Sequence, residues 1–323
     1  MFDPENFREL LLILISTPIY ILFIGLEILL SNRSKKGFYT LKDSISNVYL
    51  MLLNMGLDIL LRTLVLFILF YFFTISPFVS VSSVQGYVLP SLTNPILYWV
   101  ALFFLEDFAF YWLHRVDHVT RLFWSVHVTH HSSSKFNLTT GFRSSVFQPL
   151  YRFFYFIPIT LLGFHPLDIF FMYSATQIYG ILVHTQFVKK MGILEHILVT
   201  PSHHRVHHAS NIPFLDKNMG MILIIWDKLF GTFQAEDSCE EVIEYGLTTK
   251  QELDMPIEVV THEWKTLFTD IKNTKGLGTK LKILFSPPGW MPQDDSQTSK
   301  TLQKEYWKKF SAKTKEEFKN ENR

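Results

Sequence analysis

The chain has 323 residues, of which 48% are hydrophobic and 31 are phenylalanine, and its formal net charge is +1. So apolar a composition favours a protein largely dissolved in lipid over one folded around a water-soluble core. The near-neutral charge argues against nucleic-acid binding, and the single cysteine, Cys239, excludes an internal disulfide framework.

Two long apolar runs come first in the chain. The run 10–30 has about the 20 residues that a transmembrane helix needs, and the acidic residues before it argue against a cleaved signal peptide. The run 45–75 is longer, so we expect it to tilt or to project beyond the bilayer. Asp58 and Arg62 lie four residues apart in this run, and we expect them to pair.

Three further apolar stretches follow at 95–113, 146–164 and 167–188. The last two are separated by a turn at Gly163 and Pro166. They either cross the membrane as a hairpin or dip into it from one side. Histidines lie before the stretch 146–164 and after the stretch 167–188. If these histidines share one site, they lie on the same side of the membrane, so the chain must cross it an even number of times between them.

The loops predict the orientation of the chain. Four basic residues lie between 33 and 42, after the first span, whereas the loop 76–94 has no Lys or Arg. The positive-inside rule therefore places the first loop in the cytoplasm. The third span returns the chain to that side, which predicts an active site on the cytoplasmic face, at the inner membrane if the source is bacterial.

Eight histidines form three tight groups with the spacings HxxxH, HxxHH and HxxHH. They are His114, His118, His127, His130, His131, His204, His207 and His208. Residues three and four apart share a helix face, and neutral imidazole is the commonest protein metal ligand. A structural zinc needs four ligands and usually recruits cysteine. Two metal ions sharing these imidazoles are therefore the simplest interpretation, and a merely polar interfacial helix is the alternative.

Asp107 precedes His114 by seven residues and lies on nearly the same helix face. A ligand imidazole usually donates its other N–H to a carboxylate or a carbonyl, so Asp107 is a candidate partner of the site. The alternative is a membrane carboxylate that pairs elsewhere.

The organisation along the chain predicts three parts: N-terminal membrane helices at 1–94, a catalytic domain at 95–234, and a C-terminal cytoplasmic cap and charged tail at 235–323. An aromatic patch at Trp264, Leu267 and Phe268 should pack against the catalytic domain. From Asp294 onward, the charges predict a solvated helix or a frayed tail.

The histidine groups and their surroundings resemble the fatty acid hydroxylase and sterol desaturase superfamily of membrane di-iron oxygenases. The matching stretches are EDFAFYWLHRVDH at 106–118, WSVHVTHHSSSKFNL at 124–138, TPSHHRVHH at 200–208 and DKNMGMILIIWDKLFGTF at 216–233. Within the superfamily, the chain is most similar to the alkylglycerol monooxygenase branch, through HHSSxxxNLTT, HTQ and PSHHRVHH.

This resemblance implies an all-α, polytopic membrane bundle with a histidine-lined two-metal cap on the cytoplasmic side. It implies two irons held by the eight clustered histidines and by His184, with O2 as co-substrate. The substrate would be a membrane lipid, such as an acyl chain or an alkyl-glycerol ether, that is hydroxylated, desaturated or oxidatively cleaved. Asn137, like Asp107, becomes a candidate catalytic residue.

Electrons must come from a separate partner, because the chain has no dinucleotide or flavin fingerprint. The donor is either a reductase with a redox carrier or a reduced pterin. The alkylglycerol monooxygenase branch depends on reduced pterin and has an acidic residue where this chain has Val119, so the resemblance does not decide between the two donors. Two other functions also stay open. A zinc-dependent lipid hydrolase would use the same imidazoles, and a metal transporter would place ligands near the bilayer midplane.

Overall fold

The computed structural model describes residues 4–82, 86–88, 94–239, 241–249, 253 and 255–321. Three long helices dominate it: α1 (Pro4–Arg33), α2 (Leu41–Thr74) and α3 (Pro95–Val119). Within the described ranges, these three are long and apolar enough to span a membrane. The predicted helical membrane bundle is confirmed.

Shorter elements complete the described part of the chain. One antiparallel hairpin, of β1 (Ser80–Ser82) and β2 (Gly86–Val88), departs from a purely helical fold. The remaining α-helices are α4 (Arg121–His131), α5 (Ile157–Leu161), α6 (Pro166–Leu182), α7 (Pro201–His207), α8 (Ile225–Phe230), α9 (Pro256–Asn273), α10 (Leu277–Phe285) and α11 (Ser299–Glu321). Short 3-10 turns lie at Thr140–Phe142, Gln148–Leu150, Arg152–Tyr155, Gly192–His196, Ile212–Phe214 and Glu236–Ser238.

Helix α2 is longer than a bilayer requires. Its 34 residues, at about 1.5 Å each, exceed a hydrocarbon core of about 30 Å. The first turns of α2 pack into the polar region around the histidines, where Asn47 Nδ2 donates to Thr139 Oγ1 at 3.2 Å. Asn54 Nδ2 donates to the carbonyl of Ser145 at 2.8 Å. These contacts agree with the expected projection beyond the bilayer.

The expected ion pair within α2 is wrong. Asp58 pairs with Arg152, and Arg62 pairs with Glu9 of α1. A charge at this depth is stabilised by whichever partner the packing brings against it. Neighbouring elements supply both partners here, so the pairs join α2 to α1 and to the 152 turn.

Residues 148–182 form a deep hairpin. Its turn lies beside the ends of α2 and α3 that are farthest from the histidines: Ser76 Oγ donates to the carbonyl of Leu161 at 2.8 Å, and His165 N donates to Tyr98 OH at 3.1 Å. Helix α6 then returns to His184. Of the two expected arrangements, the hairpin that reaches the far side fits the structure better than a shallow dip.

Parts of the C-terminal region pack against the rest of the protein. Helix α9 buries Val259, Val260 and Leu267 against α2 and α4. The first part of α11 also docks, because Gln303 Nε2 donates to the carbonyl of Leu215 at 2.6 Å. The prediction of a solvated helix agrees with α11, where residues 304, 305 and 307–311 are exposed, and the helix also contacts the 212–214 turn.

Candidate metal centre

Nine buried or nearly buried imidazoles gather where α3, α4, α6 and α7 meet. They form two groups, and the potential ligand atoms within each group lie within 4.8 Å of one another. Group one contains His114, His118, His127, His131 and His207. Group two contains His130, His184, His204 and His208. These are the nine histidines that the sequence nominated, and their binding of metal stays a prediction.

The HxxHH spacing has a specific geometric meaning in this fold. In α4, His127 and His131 are four residues apart and enter group one, while His130 points into group two. In the third motif, His204 and His208 enter group two and His207 enters group one. Each HxxHH motif therefore contributes to both groups, which explains why three histidines are needed where a single site would use two.

Ring nitrogens within the groups approach closely. The Nε2 atoms of His114 and His127 are 3.1 Å apart, and those of His184 and His204 are 2.9 Å apart. A cation between two such nitrogens would accept the lone pair of each, so the arrangement fits a bound metal.

The outward-facing nitrogens determine which tautomers are present. A backbone carbonyl only accepts hydrogen bonds, so an Nδ1 that contacts one must carry the proton, which leaves the lone pair on Nε2. Four rings are held in this way: His114 by Met219 O at 2.8 Å, His130 by Arg143 O at 2.8 Å, His184 by Gly180 O at 2.7 Å and His207 by Lys217 O at 2.9 Å. Such outer partners orient metal-ligating imidazoles.

Two carboxylates that sequence reasoning missed lie beside group one. Asp216 Oδ1 lies 3.1 Å from His118 Nδ1, and Asp117 Oδ2 lies 3.7 Å from His127 Nδ1. Asp117 stands between the two histidines of the first motif, so its position in the sequence was a usable signal. Asp216 is about a hundred residues from His118, and only the fold brings the two together.

Burial favours the neutral form of several of these imidazoles. Desolvation lowers the pKa of His130 to about 4 and lowers the pKa values of His131, His207 and His208 well below the ordinary histidine value. A neutral ring keeps the lone pair that a metal needs. The site therefore offers nitrogen ligands throughout the physiological pH range.

In the two histidine groups, three buried ring nitrogens have no hydrogen-bond partner among the described residues: Nε2 of His118, Nε2 of His207 and Nδ1 of His204. A buried polar atom without a partner is uncommon and costly. The two Nε2 atoms belong to group one and gain a partner if a metal binds there. On this test, the residues fit a pair of metal ions held mainly by nitrogen.

Asp107 makes its hydrogen bonds to a backbone segment rather than to His114. Asp107 accepts hydrogen bonds from Ile222 N at 2.9 Å, Leu223 N at 3.2 Å and Trp226 Nε1 at 2.8 Å. His114 instead uses the Met219 carbonyl. Asp107 thus holds the segment that follows Met219, because three N–H donors already occupy its oxygens.

Asn137 also has hydrogen-bond partners outside the two histidine groups, in and around the loop after the second motif. Its Nδ2 donates to the carbonyl of Phe38 at 2.8 Å, and its Oδ1 accepts from Thr139 N at 2.9 Å. These bonds join the loop to the connection between α1 and α2. The Asn137 side chain therefore makes these hydrogen bonds to backbone and hydroxyl groups rather than to an imidazole, and its catalytic role stays a prediction.

Asp227 is a further buried carboxylate next to the site. It accepts from Met219 N at 2.6 Å and from Gly220 N at 2.8 Å. Because the Met219 carbonyl orients His114, Asp227 positions that ring through the backbone. Asp107 and Asp227 together hold the segment 219–226 against α3.

Two cavities adjoin the histidines and α3. A polar cavity of about 110 Å³ is bounded by histidines of both groups and by Asn54, Gln148, Arg152, Tyr173 and Gln177. An apolar cavity of about 570 Å³ lies along α3, between Leu105, Trp112 and the aromatic side chains of 151–155. The polar cavity lies next to the imidazoles, so a molecule bound in it would be adjacent to the metal site.

Comparison with known proteins agrees with this geometry. Residues 99–232 match the model of the fatty acid hydroxylase family, which confirms the predicted resemblance. Human alkylglycerol monooxygenase is 40% identical over 195 residues, which are 60% of this chain and 43% of that protein. An ornithine lipid hydroxylase of Rhizobium tropici is 34% identical, over 40% of this chain and 39% of its own.

Human lathosterol oxidase is more distant, at 27% identity over 44% of this chain and 46% of its own. The matched region spans less than half the length of each of these relatives. No solved structure matches the chain significantly.

Proposed function

We propose that this chain is a membrane non-haem di-iron monooxygenase that oxidises a lipid. The observation that carries the proposal is the pair of adjacent imidazole groups, buried at the ends of membrane helices within the region that matches the fatty acid hydroxylase family. Both groups lie at helix ends, whereas a transporter would hold its ligands near the midplane on broken helices.

Iron bound to both groups would activate O2 with two electrons and two protons, so that one oxygen atom enters a C–H bond of the lipid and the other leaves as water. The residues of the chain itself would orient the ligand rings and keep water away from them. Backbone carbonyls fix the rings, and burial excludes bulk water from them. Neutral imidazole ligands, unlike carboxylates, carry no negative charge, so they would offset less of the positive charge of the metal ions.

The polar cavity favours a lipid that carries hydroxyl groups close to the carbon that reacts. Its lining is about half apolar, and its polar side chains are largely uncharged, since Arg152 is paired with Asp58 and contacts Tyr173 OH at 3.2 Å. An alkylglycerol has its ether bond next to a polar glycerol and fits this lining better than an unsubstituted acyl chain. Hydroxylation of the carbon on the ether oxygen would release an aldehyde and glycerol.

The reducing equivalents would come from a separate reductase and carrier or from a reduced pterin. We place the active site on the cytoplasmic face, because the basic residues between 33 and 42 follow α1. Helices α1 to α3 would each cross the membrane.

The test is metal and product analysis of the chain purified anaerobically in lipid. We expect about two irons per chain, O2 consumption that depends on a reductant, and an aldehyde from a 1-O-alkylglycerol. One zinc per chain with hydrolysis in the absence of O2 would instead support the lipid hydrolase.

Replacing Gln177 with leucine should selectively weaken the binding of a hydroxyl-bearing substrate. Gln177 lines the polar cavity, and its buried Nε2 has no hydrogen-bond partner in the part of the chain that the structure describes. Loss of one such bond, worth about 0.5–1.5 kcal/mol, should raise KM for an alkylglycerol about 2- to 10-fold. Steady-state kinetics with an ether that lacks free hydroxyls is the control, since its KM should not change.

An equal effect of Q177L on both ethers, or a loss of bound iron, would show that Gln177 does not select the substrate.

A further inference from the structure

The outer face of the C-terminal helices carries an apolar stripe that the fold leaves exposed. In α10, Leu277 is 75% exposed, Leu281 46% and Phe285 59%. At about 100° per residue, these three lie within about 80° of one another on the helix surface. Ile283, on the opposite side, is fully buried. The helix is therefore amphipathic, with a second apolar side that nothing in the described part of the chain covers.

This stripe lies level with the end of a membrane helix. Ser286, directly after α10, accepts a hydrogen bond from Arg121 N at 2.9 Å. Arg121 is only two residues beyond the end of α3 at Val119. The C-terminal end of α10 is thus tied to the point where α3 leaves the membrane.

The preceding helix is fixed to the membrane bundle as well. Val259 and Val260 of α9 pack on Leu50 of α2, and Phe268 points outward with 61% of its surface exposed. The α9–α10 hairpin, residues 256–285, therefore lies beside the histidine-bearing ends of two membrane helices.

The charges of the α9–α10 hairpin suit a negatively charged surface. It contains five lysines and three carboxylates, and two of these carboxylates, Glu263 and Asp270, pair with Arg121. Lys280 and Lys282 flank the apolar stripe on its two sides. Long lysine side chains in such positions reach the headgroup region while their neighbours enter the apolar layer.

We propose that the outer face of the α9–α10 hairpin lies in the surface of the membrane leaflet next to the metal centre. Leu277, Leu281 and Phe285 enter the boundary between headgroups and acyl chains. Lys280 and Lys282 contact the phosphates of anionic phospholipids. This inference does not depend on which reaction the histidines support.

The test places a fluorescent probe on the stripe. In the full-length chain, Cys239→Ser removes the single cysteine, and Leu281→Cys is then labelled with a polarity-sensitive dye. The matched control carries the same dye at Glu305→Cys, an exposed position of α11. Both proteins are reconstituted with their metal in vesicles of phosphatidylcholine, alone or in an equal mixture with phosphatidylglycerol.

In the mixed vesicles, we expect blue-shifted emission at position 281, with severalfold weaker quenching by iodide and quenching by lipids labelled near the headgroup. Position 305 should report water. The pair Lys280→Glu and Lys282→Glu should reverse the shift at 281. A probe at 281 as accessible to iodide as the one at 305 would overturn the proposal. No effect of the two charge reversals would overturn the assigned contact with anionic lipid.

Discussion

Replacing His204 with alanine should remove one of two metal ions and abolish lipid oxidation. His204 belongs to group two, with its Nε2 2.9 Å from His184 Nε2. Loss of this ligand should lower bound iron to about one per chain, since group one stays complete. Removing a group that only hydrogen-bonds to a metal ligand costs about 10- to 100-fold in metal affinity or activity. Loss of the ligand itself should therefore lower turnover by at least about 100-fold.

The chain provides a matched control in the adjacent residue. His203 is equally buried, but its Nε2 lies 3.2 Å from Glu195 and it belongs to neither group. His203→Ala should retain both metals. His207→Ala, in group one, should also lose one metal, and the remaining ion should give a different spectrum from that left in H204A.

Metal analysis and iron spectroscopy of the three variants check this prediction. Equal metal loss in H203A and H204A would contradict the division into two groups. Full metal content in both H204A and H207A would contradict metal binding by these histidines.

Replacing Asp107 with alanine should destabilise the protein rather than act on the reaction alone. The substitution leaves three donors, Ile222 N, Leu223 N and Trp226 Nε1, without their acceptor. An unsatisfied buried donor costs about 1–3 kcal/mol, so we expect a loss of about 3 kcal/mol or more in the free energy of unfolding. Group one should also bind metal more weakly, because the freed segment follows Met219, which orients His114.

The control is the neighbouring buried carboxyl. Glu106 is also fully buried, but among the described residues it has one hydrogen-bond partner, Thr176 Oγ1 at 3.2 Å. Glu106→Gln keeps an acceptor for that hydroxyl, so its midpoint of thermal unfolding in detergent should stay close to that of the unchanged protein. If D107A kept its unfolding midpoint and both metals yet lost turnover, Asp107 would be catalytic and the structural role wrong.

The sequence by itself determined the metal ligand candidates. Regular spacing on helices restricts where side chains point, so HxxxH and HxxHH predicted converging imidazoles before any coordinates. Long apolar runs fixed the membrane helices for a similar reason, because a backbone in lipid must satisfy its own hydrogen bonds and does so as a helix. His184, which lies alone in the sequence, was found through the family resemblance.

Only the tertiary structure decided how the histidines divide and what holds them. That His130 and His131 serve different groups depends on where α7 meets α4, and helical spacing within α4 does not contain this information. The partners of buried charges were decided in the same way. Asp58 pairs with Arg152 rather than with Arg62, and Asp107 holds 222–226 rather than an imidazole. A buried polar group is stabilised by the donor or acceptor that packing brings to it, and that neighbour comes from a segment distant in the sequence.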